Sequence, residues 1–414
     1  MWSVAIMVTR RLASTVEATK PALVRSRRKA SVTQQIVDYF QTSELFMTHY
    51  SSINPTLLKK RSAVPSGVYC MSESAAETVF SSIKGHLNPD TPIIELYPGL
   101  GILTSHLLTL NPKRILAYES DSYFKSVMDS IALENLDVLQ VHKAHFMRLW
   151  SDDHKDKLDG GDRVAKLISG VEKKEWESDP VAQIIGVAAN PRYFQFFVNC
   201  VAFQCGIMSY GRMELYLTVP PEIFWNINCE AASLPMMYSK YLLFNIFFDY
   251  ELLCEVDGKC FVPWFKRDGK TAFLKDFEVN RENFCVMKAV PKRDLLKVVP
   301  PHLLTSLWFF TYQGTTTTRN KVIPYLEKWV PDCGPLFISK GLTVFTDFRD
   351  LKCHELLDVF LTFVSLPGFE DSTFHAALES FLYKSEDEGL DDEMDLATSG
   401  SSGSENVATE NVEK

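Results

Sequence analysis

Two acidic residues and two glycines at fixed spacing are the residues of this sequence best suited to chemistry. Glu95 ends an apolar run, and Gly99 and Gly101 follow it in a Pro-Gly-Leu-Gly turn. A second acid, Glu119, ends the next apolar run, 18 residues after Gly101. Glycines let a backbone approach a bound molecule closely, and an acid at this spacing can accept hydrogen bonds from ribose hydroxyls. The pattern favours a nucleotide-like cofactor, although Pro-Gly-x-Gly also occurs in plain tight turns.

Alternating strand and helix patterns surround these residues. The apolar runs 92–96, 114–119, 138–142 and 183–188 are predicted to be strands, and helical spacing follows the glycine turn at Ile102, Leu103 and Leu107. This alternation predicts an α/β, doubly wound (Rossmann-like) sheet, in which ligands bind at the carboxyl ends of the strands. The dinucleotide pattern G-x-G-x-x-G is absent. The layout therefore fits S-adenosyl-L-methionine better than a dinucleotide.

Three stretches in the same order make the pattern more specific. They are ELYPGLGILT (95–104), AYESD (117–121) and HKAHF (142–146). Together they resemble the rRNA adenine N6-dimethyltransferase family. YGRMELYL (210–217), the PWF around Trp264 and VPKRDLL (290–296) resemble its mitochondrial transcription factor B branch, and the second, transcription-dedicated paralogue of that branch. The likeness spans about residues 66–383 and implies an S-adenosylmethionine methyltransferase fold with a small C-terminal helical domain.

The resemblance also implies roles for individual residues. Its cofactor-binding positions fall on Cys70, Glu95, Gly99, Gly101, Glu119 and His145. The family's Asn-Leu-Pro-Tyr motif matches Asn190 and Tyr193, which would be a vestigial catalytic pair. In the family, the asparagine receives the adenine amino group and the aromatic ring stacks on a base flipped out of its helix.

Three departures from the family pattern fall at these positions. Tyr97 stands where the family has glycine, His145 where it usually has an acid, and Arg192 interrupts the Asn-Leu-Pro-Tyr match. Each lost hydrogen-bond partner in a buried site costs about 1–3 kcal/mol. We therefore expect S-adenosyl-L-methionine binding and methyl transfer to be weak or absent. The alternative is that Asn190 and Tyr193 still act in a shifted register.

A second group of candidates combines cations with aromatic rings. Trp264, Lys266, Arg267, Lys292 and Arg293 are predicted to bind nucleic acid, because cations meet phosphates and aromatic faces stack on unpaired bases. Further candidates for the same groove are Phe265, Lys270, Lys297, Tyr312, Arg319 and Lys321. Each of these charges, taken singly, fits an ordinary solvated surface better than a binding site, and it is their clustering that favours a groove.

The termini differ sharply in charge. Residues 1–29 carry seven Lys or Arg and one acid, which is typical of a mitochondrial transit peptide or of a basic tail that binds nucleic acid. Residues 385–414 carry ten acids and one Lys, which is typical of a solvated tail or of an arm that competes with nucleic acid. The expected organisation is a transit peptide (1–30), a helical lead-in (31–65), a methyltransferase-like domain (66–287), a helical domain (288–384) and an acidic disordered tail (385–414).

Four further regions carry expectations about structure. The charged region 151–180 is expected to be an exposed insertion or a solvated helix, 241–253 a core helix, 288–294 a basic hinge and 314–318 a polar loop. No stretch of 18 apolar residues is present, so no membrane span is predicted. Nine cysteines without a CxxC pair favour a reducing compartment over a disulfide framework. No metal site is expected, because the pair His142 and His145 has no companion ligands.

Two classes of function follow. The first is a mitochondrial transcription initiation factor that assists the mitochondrial RNA polymerase in melting promoter DNA, and holds it single-stranded in the matrix nucleoid. The alternative is an enzyme that dimethylates adjacent adenines in mitochondrial small-subunit rRNA. A third, weaker hypothesis is a scaffold in ribosome assembly.

Overall fold

The computed structural model describes residues 31–61, 64–65, 67–228, 239–265, 280–317 and 319–387. The expected transit peptide (1–30), residues 388–414 of the expected acidic tail, and Lys266, Arg267 and Lys270 lie outside these ranges. Within the described residues, every helix is too short or too polar to cross a bilayer.

The strands of the described chain form two sheets. They are β1 (Tyr69–Cys70), β2 (Ile93–Leu96), β3 (Ile115–Tyr118), β4 (Leu139–His142), β5 (Ala182–Val187), β6 (Met213–Val219), β7 (Phe248–Asp257), β8 (Phe261–Val262) and β9 (Asn283–Pro291). Seven of them form one sheet in the order β4-β3-β2-β5-β6-β9-β7, and β1 pairs with β8 in a second. The strands from β4 to β6 in this order are parallel, whereas β9 runs antiparallel to both of its neighbours.

Helices connect and follow these strands. They are α1 (Val32–Phe40), α2 (Glu44–His49), α3 (Glu73–Ile83), α4 (Ile102–Leu108), α5 (Ser122–Leu133), α6 (Leu149–Asp159), α7 (Arg163–Leu167), α8 (Arg192–Ala202), α9 (Pro221–Asn228), α10 (Ser239–Phe247), α11 (Leu295–Val298), α12 (Pro301–Thr316), α13 (Val322–Trp329), α14 (Gly334–Ser339), α15 (Cys353–Val364) and α16 (Phe374–Asp387). The predicted α/β, doubly wound fold is confirmed by this element order and by the sheet.

The direction of the chain across the sheet reverses between β2 and β5. The chain runs outward from β2 through β3 to β4, and then returns to β5 on the other side of β2. Every residue of β2, β3 and β5 is buried, as expected for parallel strands covered on both faces. Ligands of such sheets bind where the strand order reverses, at the carboxyl ends of the strands. Glu95 and the glycine turn lie at this edge.

A close approach between β2 and β5 requires glycine at position 186. Gly186 lies opposite Leu96 in the parallel pairing of the two strands. A Cβ atom added to Gly186 would lie 2.6 Å from the Cβ of Leu96 and 2.7 Å from its carbonyl oxygen. Any side chain at this position would push the two strands apart at the point where the site begins.

The expected core helix over residues 241–253 is wrong in its second half. Helix α10 ends at Phe247 and strand β7 begins at the next residue, and most side chains of the strand are exposed or half-buried. β7 pairs with β9 from Phe248 to Asp257, so backbone hydrogen bonds to a distant segment stabilise the strand. Local periodicity cannot report such pairing, and tertiary context overrides propensity here.

The expected basic hinge over residues 288–294 is also wrong in its first half. Lys288–Pro291 complete β9, and Lys288 pairs with Glu214 of β6 at 3.0 Å. The predicted domain boundary between residues 287 and 288 therefore falls inside a strand. Only residues 292–294 separate β9 from α11. We propose that the division between sheet and helices lies after Pro291.

Two regions of polar composition contain buried residues. Region 151–180, expected to be an exposed insertion or a solvated helix, contains α7 and most of α6. Trp176 within it is buried and donates its indole N–H to the Lys292 carbonyl at 3.0 Å. The expected polar loop at 314–318 is helical through Thr316, because Thr315 and Gly314 are buried in α12. In both regions a polar composition conceals buried anchor residues.

The helices after β9 share one core with the helices beside the sheet. Phe310 of α12 contacts Tyr325, Phe348, Phe360 and Phe363 with ring centroids 5.4–5.8 Å apart. The indole N–H of Trp308, also on α12, donates to the Asn199 side chain of α8 at 3.0 Å. The apolar stripes of α13, α15 and α16 belong to this core.

Helices α1 and α2 pack on the protein through polar contacts as well as apolar ones. Ile36, Phe40 and Phe46 are buried. Tyr39 donates to the Asp257 carboxylate at 2.9 Å, and the His49 Nδ1 lies 2.7 Å from the Tyr123 hydroxyl at the start of α5. These contacts hold the lead-in across the ends of β7 and α5.

Substitution Tyr39→Phe is expected to lower the free energy of unfolding by about 1 kcal/mol, because it removes the hydrogen bond to Asp257 and keeps the ring. Urea denaturation measures the change, and hydrogen exchange of the α1 amides locates it. Tyr50→Phe is the matched control, since the Tyr50 hydroxyl has no hydrogen-bond partner in the described chain. Equal effects of the two substitutions would show that the Tyr39 hydroxyl does not hold α1.

Candidate functional site

Glu95 lies at the carboxyl end of β2, at the reversal of strand order. Its side chain is buried, and its Oε2 accepts a hydrogen bond from the Thr104 hydroxyl of α4 at 2.8 Å. Burial raises the pKa of Glu95 to about 7, and the nearby Glu119 carboxyl adds to the effect. A carboxyl group with this pKa is poorly suited to hold a cationic ligand, because part of its population is protonated at neutral pH.

The glycine turn has the backbone that the sequence predicts. Gly99 and Gly101 have φ values of 60° and 74°, in the left-handed region that glycine adopts without strain. A Cβ atom at Gly101 would overlap the Cδ1 of Ile131. At Gly99 it would lie 3.1 Å from the Tyr69 ring. The turn is tight, and the space above it is filled by a side chain of the protein.

Glu119, the acid predicted to contact ribose, has hydrogen-bond partners within the protein for both of its carboxylate oxygens. Its Oε1 accepts hydrogen bonds from the Asp121 amide at 2.8 Å and from the Tyr69 hydroxyl at 3.2 Å. Its Oε2 accepts one from the Gly99 amide at 3.2 Å. Burial raises the pKa of Glu119 to about 7. The Tyr69 hydroxyl thus occupies a position at which a ribose hydroxyl would hydrogen-bond.

A chain of three side chains closes the other half of the cleft. Tyr193 donates to the Tyr97 hydroxyl at 2.6 Å, and the Tyr97 hydroxyl lies 2.6 Å from the His145 Nε2. Burial lowers the pKa of His145 to about 4. His145 is therefore neutral at pH 7, and in the tautomer with its proton on Nδ1 its Nε2 accepts a hydrogen bond from the Tyr97 hydroxyl. Tyr97 reaches this position with a φ of 52°, which is unusual for a residue other than glycine.

The space that remains is too small for a nucleoside cofactor. The cavity between β2 and β5 has a volume of about 20 Å³ and is lined by Cys70, Glu95, Tyr97 and Phe261 among others. Ligand pockets occupy roughly 300–1,000 Å³, and about 20 Å³ is room for one water molecule. The residues present do not fit S-adenosyl-L-methionine in this arrangement, because their own side chains fill the cleft and bond to its polar groups.

The two residues matched to the catalytic motif are also engaged. The Asn190 Oδ1 accepts a hydrogen bond from the Arg192 amide at 3.0 Å, at the start of α8. Tyr193 is fully buried, with its ring stacked near that of His145. A base cannot stack on a ring that is covered on both sides. The structure thus brings Glu95, Glu119, His145 and Tyr193 together but leaves no face open to a substrate.

The sequence prediction missed the contribution of Tyr69. The resemblance assigns a cofactor contact to Cys70 and none to its neighbour Tyr69. The antiparallel pairing of Tyr69 with Val262 turns the Tyr69 ring toward Glu119. In the sequence, only Tyr97 directly precedes the glycine turn. Tyr69 lies far upstream of the turn, so the sequence carries no comparable signal for it.

Several candidate nucleic-acid residues contact other groups of the described chain. The Lys292 ammonium donates to the Asn245 carbonyl at 2.9 Å, and the Arg293 guanidinium donates to the Glu177 carbonyl. Lys321 pairs with Asp347 at 2.9 Å. Tyr312 stacks on Trp308 with centroids 5.7 Å apart. Lys292 and Arg293 thus lie at the junction of sheet and helices, Lys321 and Tyr312 lie among the helices after β9, and Trp264 lies just after β8.

Comparison with known proteins adds the following. The chain is 28% identical over 393 residues to "Dimethyladenosine transferase 2, mitochondrial" of Drosophila melanogaster, which covers 84% of this chain and 87% of that protein. The Bos taurus protein of the same name is 23% identical over 68% of this chain and 72% of its own. No protein-family profile matches the chain.

Solved structures give lower similarity. A dimethyladenosine transferase from Plasmodium falciparum superposes with a TM-score of 0.46 at 13% identity, over 71% of this chain and 97% of that one. The 23S rRNA methyltransferase ErmE superposes with a TM-score of 0.44 at 13% identity, over 69% of this chain and 96% of that one. In sequence, the chain is thus similar to two proteins that are both named mitochondrial dimethyladenosine transferase 2.

Proposed function

We propose that the protein is a mitochondrial transcription initiation factor. In this proposal it joins the mitochondrial RNA polymerase in the matrix nucleoid, helps to melt promoter DNA and holds the exposed strand. Its scaffold is that of an rRNA adenine dimethyltransferase. The order of sequence motifs that resembles the transcription-dedicated branch supports the proposal, as does the similarity to two proteins whose names place them in mitochondria.

The closed cleft is the observation that carries the proposal. The Tyr69 hydroxyl donates a hydrogen bond to Glu119, and the hydrogen-bonded set of Tyr97, His145 and Tyr193 fills the remaining space of the cleft. A protein under selection for methyl transfer would keep that space open for the methyl donor. A protein that only binds nucleic acid needs the scaffold and its surface, and burying extra aromatic side chains in the cleft stabilises that scaffold.

Dimethylation of adjacent adenines in small-subunit rRNA is the alternative. Retention of Glu95, Gly99, Gly101 and Glu119 at the strand ends favours it, since these residues stand where the family binds S-adenosyl-L-methionine. The alternative requires Tyr69 and Tyr97 to swing out of the cleft together, at the cost of three hydrogen bonds in a buried region.

A pair of assays on one preparation separates the two functions. Run-off transcription with the mitochondrial RNA polymerase is expected to rise severalfold on addition of the protein, equally with and without S-adenosyl-L-methionine. Titration calorimetry with S-adenosyl-L-methionine is expected to show no saturable heat, and small-subunit rRNA is expected to gain no methyl groups. Saturable binding with methyl transfer, or a lack of transcription stimulation, would overturn the proposal.

A further inference from the structure

A second, larger cavity lies beside the two-stranded sheet. It has a volume of about 310 Å³, and its walls include Lys60, Trp264, Phe265, Arg281 and Phe284. Phe261 lines both this cavity and the closed cleft, so the two are neighbours. The contacts that fill the closed cleft do not explain why this second cavity exists.

Its apolar walls are aromatic rings held in fixed orientations. Phe284 stacks on Phe261 with centroids 5.1 Å apart and planes at 17°, and Phe265 lies 6.2 Å from Phe284. The Trp264 indole N–H donates to the Lys259 carbonyl at 3.1 Å, which fixes the indole. Rigid, partly exposed aromatic surfaces of this kind suit a flat ligand with a π face.

Its polar rim carries an excess of positive charge. Lys259 pairs with Glu282 at 3.1 Å, so these two charges offset each other. Lys60 and Arg281 also line the cavity, and neither makes an ion pair or hydrogen bond with the residues that the structure describes. Two cations that no described acid pairs with, beside aromatic walls, are complementary to a base joined to a phosphate.

We propose that this cavity binds one unpaired nucleotide of a single-stranded nucleic acid. The base lies against Phe265 and Trp264, and Lys60 and Arg281 contact the flanking phosphates. A volume of about 310 Å³ is at the lower end of the range for ligand pockets, which is enough for one nucleotide and too little for a duplex. The inference rests on the proposed function in that it names where the exposed strand is held.

Charge reversal tests the two cations. In fluorescence anisotropy with a labelled thymidine oligomer of about ten nucleotides, Lys60→Glu with Arg281→Glu is expected to weaken binding at least tenfold and to lower the salt slope by about two.

The matched control is Lys155→Glu with Lys173→Glu, which reverses two exposed charges on the segment after β4, at the opposite edge of the sheet from β7. An equal loss in both pairs, or no loss in the first, would overturn the inference. Thermal unfolding of each variant verifies that it is folded.

A second variant tests the aromatic wall. Phe265→Leu keeps an apolar side chain but removes the stacking surface, and it is expected to weaken binding about tenfold without changing the salt slope. A duplex of the same length should compete poorly. Competition by adenosine monophosphate as strong as that of the oligomer would overturn the assignment to a strand, because the site would then take free nucleotides.

The outcome is separable from that of the proposed function. Transcription stimulated by a protein whose strand binding ignores the cavity variants would overturn this inference alone. Strand binding that depends on the cavity, in a protein that does not stimulate the polymerase, would support the cavity and overturn the initiation role.

Discussion

Tyr97→Gly is expected to lower the free energy of unfolding by about 3 kcal/mol. Tyr97 is 4% exposed, and its hydroxyl joins Tyr193 to His145. Removal of a buried aromatic side chain costs about 3–5 kcal/mol. Part of this loss is returned, because glycine adopts a φ of 52° without the penalty of roughly 1–2 kcal/mol that other residues carry. Urea denaturation at pH 7 measures the change.

The backbone contribution has its own control. Tyr97→Ala removes the same contacts but keeps a Cβ atom at a positive φ, so it should be less stable than Tyr97→Gly by about 1 kcal/mol. At most positions glycine is the less stable of the two. Tyr97→Phe keeps the ring and should lose about 1–3 kcal/mol for the missing hydroxyl. An alanine variant more stable than the glycine variant would contradict the left-handed conformation of residue 97.

Glu95→Gln is expected to change how stability depends on pH. Burial raises the pKa of Glu95 from 4.5 to about 7, so the folded protein keeps this proton over a range in which the unfolded chain loses it. The stability that Glu95 contributes is therefore full below about pH 4.5 and is lost as pH rises through about 7. The glutamine side chain can still accept the Thr104 hydrogen bond but cannot ionise.

The measurement is the difference in free energy of unfolding between Glu95→Gln and wild type from pH 5 to pH 8. Over this range, the free energy of unfolding of the glutamine variant should rise by about 3 kcal/mol relative to that of wild type. His145 has the opposite sign, since its pKa is lowered to about 4 and its contribution is lost as pH falls, but it is present in both proteins and cancels. Glu77→Gln, at an exposed position of α3, supplies the baseline. A flat difference for Glu95→Gln would show that its carboxylate is better solvated than the structure indicates.

The sequence predicts the sheet because local patterns suffice there. The runs that became β2, β3 and β5 are almost continuously apolar, which is the pattern of strands covered on both faces. Since parallel strands end at one edge, the positions of Glu95, Gly99 and Glu119 relative to each other follow from the strand assignments alone. That part of the candidate site could be predicted without a structure.

The features that the sequence could not predict depend on pairing between segments that are distant in the chain. β7 is a strand because β9 lies beside it, 35 residues later in the chain when counted from Phe248 to Asn283. Tyr69 reaches Glu119 only because β1 pairs with β8. Lys292 and Arg293 looked like free cations, and their carbonyl partners lie in α10 and in the segment before β5. Each contact joins residues whose spacing carries no periodic signal.

The position of β9 bears on where the chain can be divided. Ala289 of β9 pairs with Leu215 of β6, and Pro291 of β9 pairs with Phe248 of β7. Only residues 292–294 then separate the strand from the first helix that follows. A cut between residues 287 and 288 would therefore divide β9 and remove backbone pairing with both of its neighbours.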